Sequence, residues 1–318
     1  TGGYFLINLR KKFKVNSLIE FFNKEYGIVG KFTFSFIITV RLISEIFANL
    51  IVIGLIFGKE GGAEYNVSIF LIMILAFSYS FLGGFRNSIK TDFFQMTIFL
   101  ILLLVLLIGV LFSNTIIENN LIFSKLKDVS NPGYALILVA LLQIWSYPIH
   151  DPVMMDRGFI CSRNKTKKSF FLAFLLSSFC IFLFSLLGLC LAENALNGTT
   201  FIEAIKVNFN INLSYIIFLL LIISAISTLD STLSSAAKLV VIDLGFLPQT
   251  IFHGRVVMFV FTILGLAFIF CNTKDLFTAV AVSGTAATFL TTTFILRIIF
   301  NISVSRLSLI ISFFTSIL

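Results

Sequence analysis

The sequence predicts an all-α fold, a polytopic membrane helix bundle, on three observations. Of its 318 residues 58% are apolar and only 12% charged, with a mean hydropathy of +1.05, whereas a soluble domain carries about 25% charged residues. Apolar runs close to the roughly 20 residues that cross a hydrocarbon core recur along the chain. The basic excess, 23 Lys and Arg against 15 Asp and Glu for a net charge of +8, concentrates in alternate connections, as membrane topology requires. That excess is therefore topological, and the implied partner is a lipid bilayer, not nucleic acid. Cys161, Cys180, Cys190 and Cys271 are widely spaced without a C-x-x-C, so they read as packing residues rather than as disulfides or a zinc site.

Residues 1–9 form a short apolar tail followed by Arg10, Lys11, Lys12 and Lys14, too short to span and with its charges on the wrong side for a signal peptide. The chain is expected to begin inside one helix and to stop inside another, at 312–318. It is expected to form one transmembrane domain over 1–318, truncated at both ends. Breaks containing Gly, Pro, Asn or several charges divide it into nine candidate spans: 31–57, 66–83, 93–112, 133–150, 169–192, 213–237, 255–270, 276–296 and 302–318. The third and fifth are apolar nearly all round, which suits helices that are buried or face lipid. Segments 1–31, 84–92, 151–168, 238–255 and 297–306 hold 17 of the 23 basic residues; the alternate segments 58–65, 113–132, 193–212 and 271–275 hold 5, and Arg41 lies within the first span. By the positive-inside rule the first span runs outwards from the cytoplasm and the alternation then holds to the last. The expected location is the plasma (cell inner) membrane, crossed many times.

Polar groups inside such spans are costly, and each is a candidate for function. The densest set lies in 222–244, where an apolar helix turns abruptly polar. At 100° per residue Ser224, Ser227, Ser231 and Ser234 share one stripe, with Thr228 beside it and Asp230 on its other flank. Hydroxyls, a carboxylate and freed backbone carbonyls are the hard oxygen ligands that suit Na+. The structural alternative is that Ser and Thr in membrane helices permit close packing or bond back to the preceding turn. In 83–95, Gly83 and Gly84 make a turn and Asp92 and Gln95 begin the next helix; Asp92 is then either a helix cap or a cation ligand. Arg41 and Glu45 stand four residues apart on one face. Fully paired they are structural, but an Arg with donors to offer would hold a carboxylate-bearing solute. Ser44 and Asn49 lie close enough to share either task. Around Pro148, Gln143, Trp145, Tyr147, His150 and Asp151 suit a broken helix lining a cavity or an interfacial aromatic belt. Arg41, Glu45, Gln143 and Tyr147 form the candidate solute set. The small, hydroxylated run 278–293 reads as helix packing.

Two motifs carry a resemblance. Y-x-x-x-G-G with T-D-x-x-Q (Tyr79, Gly83, Gly84, Thr91, Asp92, Gln95) and A-x-S-T-x-D-S with a later Asp (Ala225, Ser227, Thr228, Asp230, Ser231, Asp243) resemble the sodium:solute symporter family. Asp151, Asp156 and Arg157 follow its D-x-x-x-x-D-R pattern more loosely. The resemblance implies a leucine-transporter-type five-plus-five inverted repeat, present in part, with the nine spans as core helices three to eleven and ligands beside broken helices. It assigns the Na+ site to the Ser224 carbonyl and the Ser227 and Thr228 hydroxyls, and a second cation position to Asp92, Ser227, Asp230 and Ser231. Asp156 stands where the family usually has Gln, a departure that bears on the solute.

The expected function is Na+-coupled symport of a small organic solute by alternating access, with Na+ as coupling ion and no enzymatic role. Two other classes remain to be separated from it. One is an intramembrane aspartyl-type hydrolase built on Asp92 and Asp230, which requires the two carboxylates to share a proton. The other is a ligand-sensing membrane module of a larger signalling protein.

Overall fold

The computed structural model describes residues 2–112, 137, 141, 147, 150–196, 201–271, 284, 289–290 and 295–317. All the secondary structure of the described residues is helical. Helix α1 (Gly2–Asn8) runs into a π-helical turn (Leu9–Phe13), followed by α2 (Leu18–Phe57) and α3 (Ala63–Phe112). Then come α4 (Pro152–Ile160), α5 (Arg163–Leu196), α6 (Phe201–Asn208) and α7 (Ile211–Lys238), which ends in a π-helical turn at Leu239–Asp243. Helix α8 (Ile251–Cys271), a third π-helical turn (Ile295–Ile299) and α9 (Arg306–Ile317) complete the described chain. Among the described residues six segments are long and apolar enough to cross a membrane: Leu18–Phe57, Ala63–Gly84, Asn87–Val110, Arg163–Gly188, Ile211–Asp243 and Ile251–Ile269. Arg306–Ser316 is a shorter apolar helix. The expected spans 133–150 and 276–296 lie mostly outside the described residues; those of them that are described are helical.

Two boundaries differ from the sequence expectation, for local reasons. The first span begins at Leu18 rather than at 31, because Ser17 caps it. The Ser17 hydroxyl accepts from the Glu20 N–H at 3.1 Å, while Glu20 accepts from the Asn16 N–H at 2.8 Å, so the two side chains satisfy amides at the exposed helix start. The charges and glycines of 24–31 do not end the helix; they accompany a kink at Gly27 (φ 68°). The second difference lies in 83–95, where no loop follows the glycine pair. A single residue, Gly84 (φ 59°, ψ −171°), breaks the backbone and helix resumes at once. Asp92 therefore sits two turns inside the second limb of α3, which excludes the cap explanation.

The core is built from rows of side chains four residues apart. Leu42, Ile46 and Leu50 of α2, Tyr65, Ile69 and Met73 of α3, and Leu229 and Leu233 of α7 are each 0% exposed and belong to one cluster. These i, i+4 rows let ridges of neighbouring helices interdigitate, and α7 packs chiefly against α3 and α2. By contrast Phe171, Leu172, Phe174 and Leu175 of α5 lie on the surface, where only lipid offers an apolar solvent. The result matters for the site: the polar half of α7 packs against α2 and both limbs of α3.

Candidate functional site: hydroxyls around Asp92 and Asp230

The kink at Gly84 and the polar stripe of α7 meet through Asp230. Its Oδ1 accepts from the Ser80 hydroxyl at 2.6 Å and its Oδ2 from the Thr91 hydroxyl at 3.0 Å. A straight α-helix would hold residues 80 and 91 about 16 Å apart, so one carboxylate reaching both requires the chain to fold sharply at Gly84. Asp230 is 1% exposed, and these hydroxyls satisfy it where water cannot. Tyr79 adds a further tie, its hydroxyl donating to the Ile226 carbonyl of α7 at 3.1 Å.

Asp92 forms a second node. Its Oδ1 accepts from the Ser227 hydroxyl at 2.6 Å, and Ser231 Oγ lies 3.1 Å from Oδ2. The Arg157 guanidinium of α4 bonds Asp92 Oδ2 and also donates to Ser231 Oγ at 2.7 Å. Asp92, Ser227 and Ser231 thus come together as expected for a second cation position, and the cation that meets them here is Arg157. No hydrogen bond joins Asp92 to Asp230; each carboxylate has its own partners, and the shared proton of an aspartyl hydrolase is not there.

Ser224, Ser227 and Thr228 face a cleft of about 150 Å³, closed on the α3 side by Gln95, Met96 and Phe99. The Thr228 hydroxyl donates to the Ser224 carbonyl at 3.0 Å. Since a hydroxyl carries one proton and two lone pairs, Thr228 keeps both lone pairs after donating, and Ser227 does the same after donating to Asp92. Gln95 Oε1 is buried without a hydrogen-bond partner. The arrangement is an open pocket edged with oxygen acceptors whose own protons are already committed elsewhere.

The candidate solute residues assemble in part. Arg41 Nη2 lies 3.8 Å from Glu45 Oε1, and the Tyr147 ring packs edge-on against His150 at 5.3 Å. Asp151 also caps α4, accepting from the Met154 N–H at 3.0 Å. Gln143 lies outside the described residues. The unusual Asp156 is engaged by a lysine: Lys238 Nζ donates to it at 2.7 Å and to Asp243 at 2.8 Å. Lys238 thereby joins α4 to the end of α7.

Sequence reasoning missed three contributors. Ser80 lies beside Tyr79 of the first motif, but nothing in spacing says that it reaches α7. Thr91 was visible in that motif without a role. Arg157 stands in the D-x-x-x-x-D-R pattern and among the loop charges, but neither gives it a role at Asp92.

Residues 18–160 match the sodium:solute symporter family. Over that stretch, somewhat less than half of its length, the chain is similar to that family. The match spans α2, both limbs of α3 and α4, so it includes Asp92 and Arg157. A solved structure of a Na+-coupled sialic acid symporter, in a substrate-bound, outward-open state, superposes with a TM-score of 0.68 at 17% identity, covering 99% of this chain and 80% of that one. At that identity the likeness speaks for the fold, and it is the leucine-transporter-type helical bundle that the motifs implied. No curated protein matches the chain. The family is one of multi-pass membrane transporters, not of enzymes.

Proposed function

We propose that this protein couples the inward movement of Na+ to the uptake of a small organic solute across the plasma (cell inner) membrane. The observation that carries the reading is the cleft lined by Ser224, Ser227, Thr228 and Gln95, where the Ser227 and Thr228 hydroxyls have already given their protons to other acceptors. Neutral and charged oxygens are what a hard alkali cation takes as ligands, and the nearby Asp230, which only hydroxyls hold, supplies negative field without filling the cleft. A cation there would bridge α7 to the second limb of α3, across the Gly84 break. If solute affinity differs between the two arrangements of that break, Na+ and solute raise each other's affinity by the same factor. Arg157 bears on stoichiometry: a second cation on Asp92 and Ser231 needs the guanidinium to withdraw first.

For the solute, Arg41 supports a carboxylate-bearing compound, in keeping with the sialic acid handled by the structural neighbour. Glu45 and Tyr147 would then orient the guanidinium and line the path. The test is uptake in vesicles over a panel of amino acids, sugars and monocarboxylates, with and without a Na+ gradient. Thr228→Ala and Ser227→Ala are each expected to raise the Na+ concentration for half-maximal uptake about tenfold, the weight of one lost oxygen contact to a charge. A sodium response unchanged in both variants would remove the assignment. Arg41→Ala is expected to abolish uptake of an acid while sparing a neutral analogue; equal loss of both would make Arg41 structural.

A further inference from the structure

Four cationic side chains, Arg10, Lys11, Lys14 and Arg163, surround an open cavity of about 400 Å³, completed by Val15 and Asn16. Among the described residues no carboxylate lines it. The nearest acid along the chain, Glu20, is turned to the Asn16 N–H and to Lys24. Two of the cations are held in place by backbone without being neutralised. Arg10 Nη1 donates to the Cys161 carbonyl at 2.6 Å, and Arg163 Nη2 donates to the Arg10 carbonyl at 3.3 Å. The neighbouring Lys12 turns the other way, to Asn301 at 2.7 Å, so the convergence on the cavity is selective. Arg163 also begins α5, whose Phe171, Leu172, Phe174 and Leu175 are 50 to 63% exposed two to three turns further along. Positive charge thus concentrates where an apolar, outward-facing helix starts, on the side that the basic-residue count places in the cytoplasm.

We propose that this cavity binds the phosphate of an anionic phospholipid, with the acyl chains lying along the exposed face of α5. Phosphate is the chemistry that such a set of donors recognises, since guanidinium forks and lysine ammoniums both bind its oxygens. The apolar wall selects a lipid over a free anion, because inorganic phosphate gains nothing from it. The inner leaflet carries such lipids and attracts basic clusters at this depth.

The experiment uses the full chain in nanodiscs of phosphatidylcholine containing a minor share of phosphatidylglycerol, with lipid retention read by native mass spectrometry. Lys11→Ser, Lys14→Ser and Arg163→Gln together are expected to lower retained phosphatidylglycerol about tenfold, against less than about threefold for Lys165→Ser, Lys167→Ser and Lys168→Ser, which remove the same charge beside the cavity. Equal losses would reduce the effect to diffuse attraction and overturn the proposal. Displacement of the lipid by millimolar inorganic phosphate would overturn it in favour of a free-anion site. Should the triple variant fail to fold, a photoreactive phosphatidylglycerol on the unaltered protein decides: labelling within 10–16 and 163–175 supports the site, and labelling elsewhere sinks it.

Discussion

Arg157 carries its guanidinium into a group of oxygens that could otherwise take a metal cation, and its partner Asp92 is a carboxylate that membrane burial alone would disfavour. Each makes the other tolerable, so removing one leaves the other uncompensated. The losses in Arg157→Gln and Asp92→Asn are therefore expected to add up to more than the loss in the double variant. A double-mutant cycle on thermal unfolding in detergent should give a coupling of about 1 to 2 kcal/mol; additivity would mean that the pair does not act as a unit. Asp156 offers a test by pH. It lies in α4, outside the spanning segments, and burial pushes its carboxyl up to about 6, with Asp243 and Asp151 adding to the rise and Lys238 opposing it. Because the folded protein binds this proton more tightly than the unfolded chain, the contribution of Asp156 to stability is complete below about pH 4 and is lost as pH rises through about 6. Denaturant titrations from pH 4 to 7 should show a loss on the order of 3 kcal/mol that Asp156→Asn no longer suffers. Parallel pH profiles for the two proteins would place the proton elsewhere.

At the scale of the element, the site depends on a single backbone angle. Gly84 at φ 59° and ψ −171° occupies a region essentially closed to residues with a side chain. A methyl group there would meet nothing within 4 Å, so the cost of Gly84→Ala is conformational alone, about 1 to 3 kcal/mol. If the break sets the distance between Ser80 and Thr91 that Asp230 requires, the same variant weakens Na+ dependence as well as lowering the melting temperature; a lowered melting temperature with intact Na+ response would separate the kink from the site. The glycine pair was legible as a break in the sequence, but the form of the break was not. A charged, polar stretch after two glycines reads as a loop because composition is local, whereas the helix there is held by hydroxyl contacts to α7, nearly 140 residues away.

For the whole molecule, orientation follows from charge. The 17-to-5 distribution of basic residues predicts that exposed Cys161 reacts with an impermeant thiol reagent from the cytoplasmic side only. A cysteine introduced by Glu60→Cys, in the exposed connection between α2 and α3, should react only from outside, and reaction of both from one side would undo the topology. What the sequence determined by itself was the solvent, the helical class and the cluster of hydroxyls on α7, because hydropathy and helical period are properties of neighbouring residues. It also carried the symporter motifs. Only the tertiary structure decided what those groups meet. Asp230 is held by Ser80 and Thr91, Asp92 by Arg157, and Asp156 by Lys238, each across a large sequence separation, while Ser227 and Thr228 keep their lone pairs towards a cleft. Partners so distant are chosen by how helices pack and where one glycine folds the chain, and no local pattern encodes that choice.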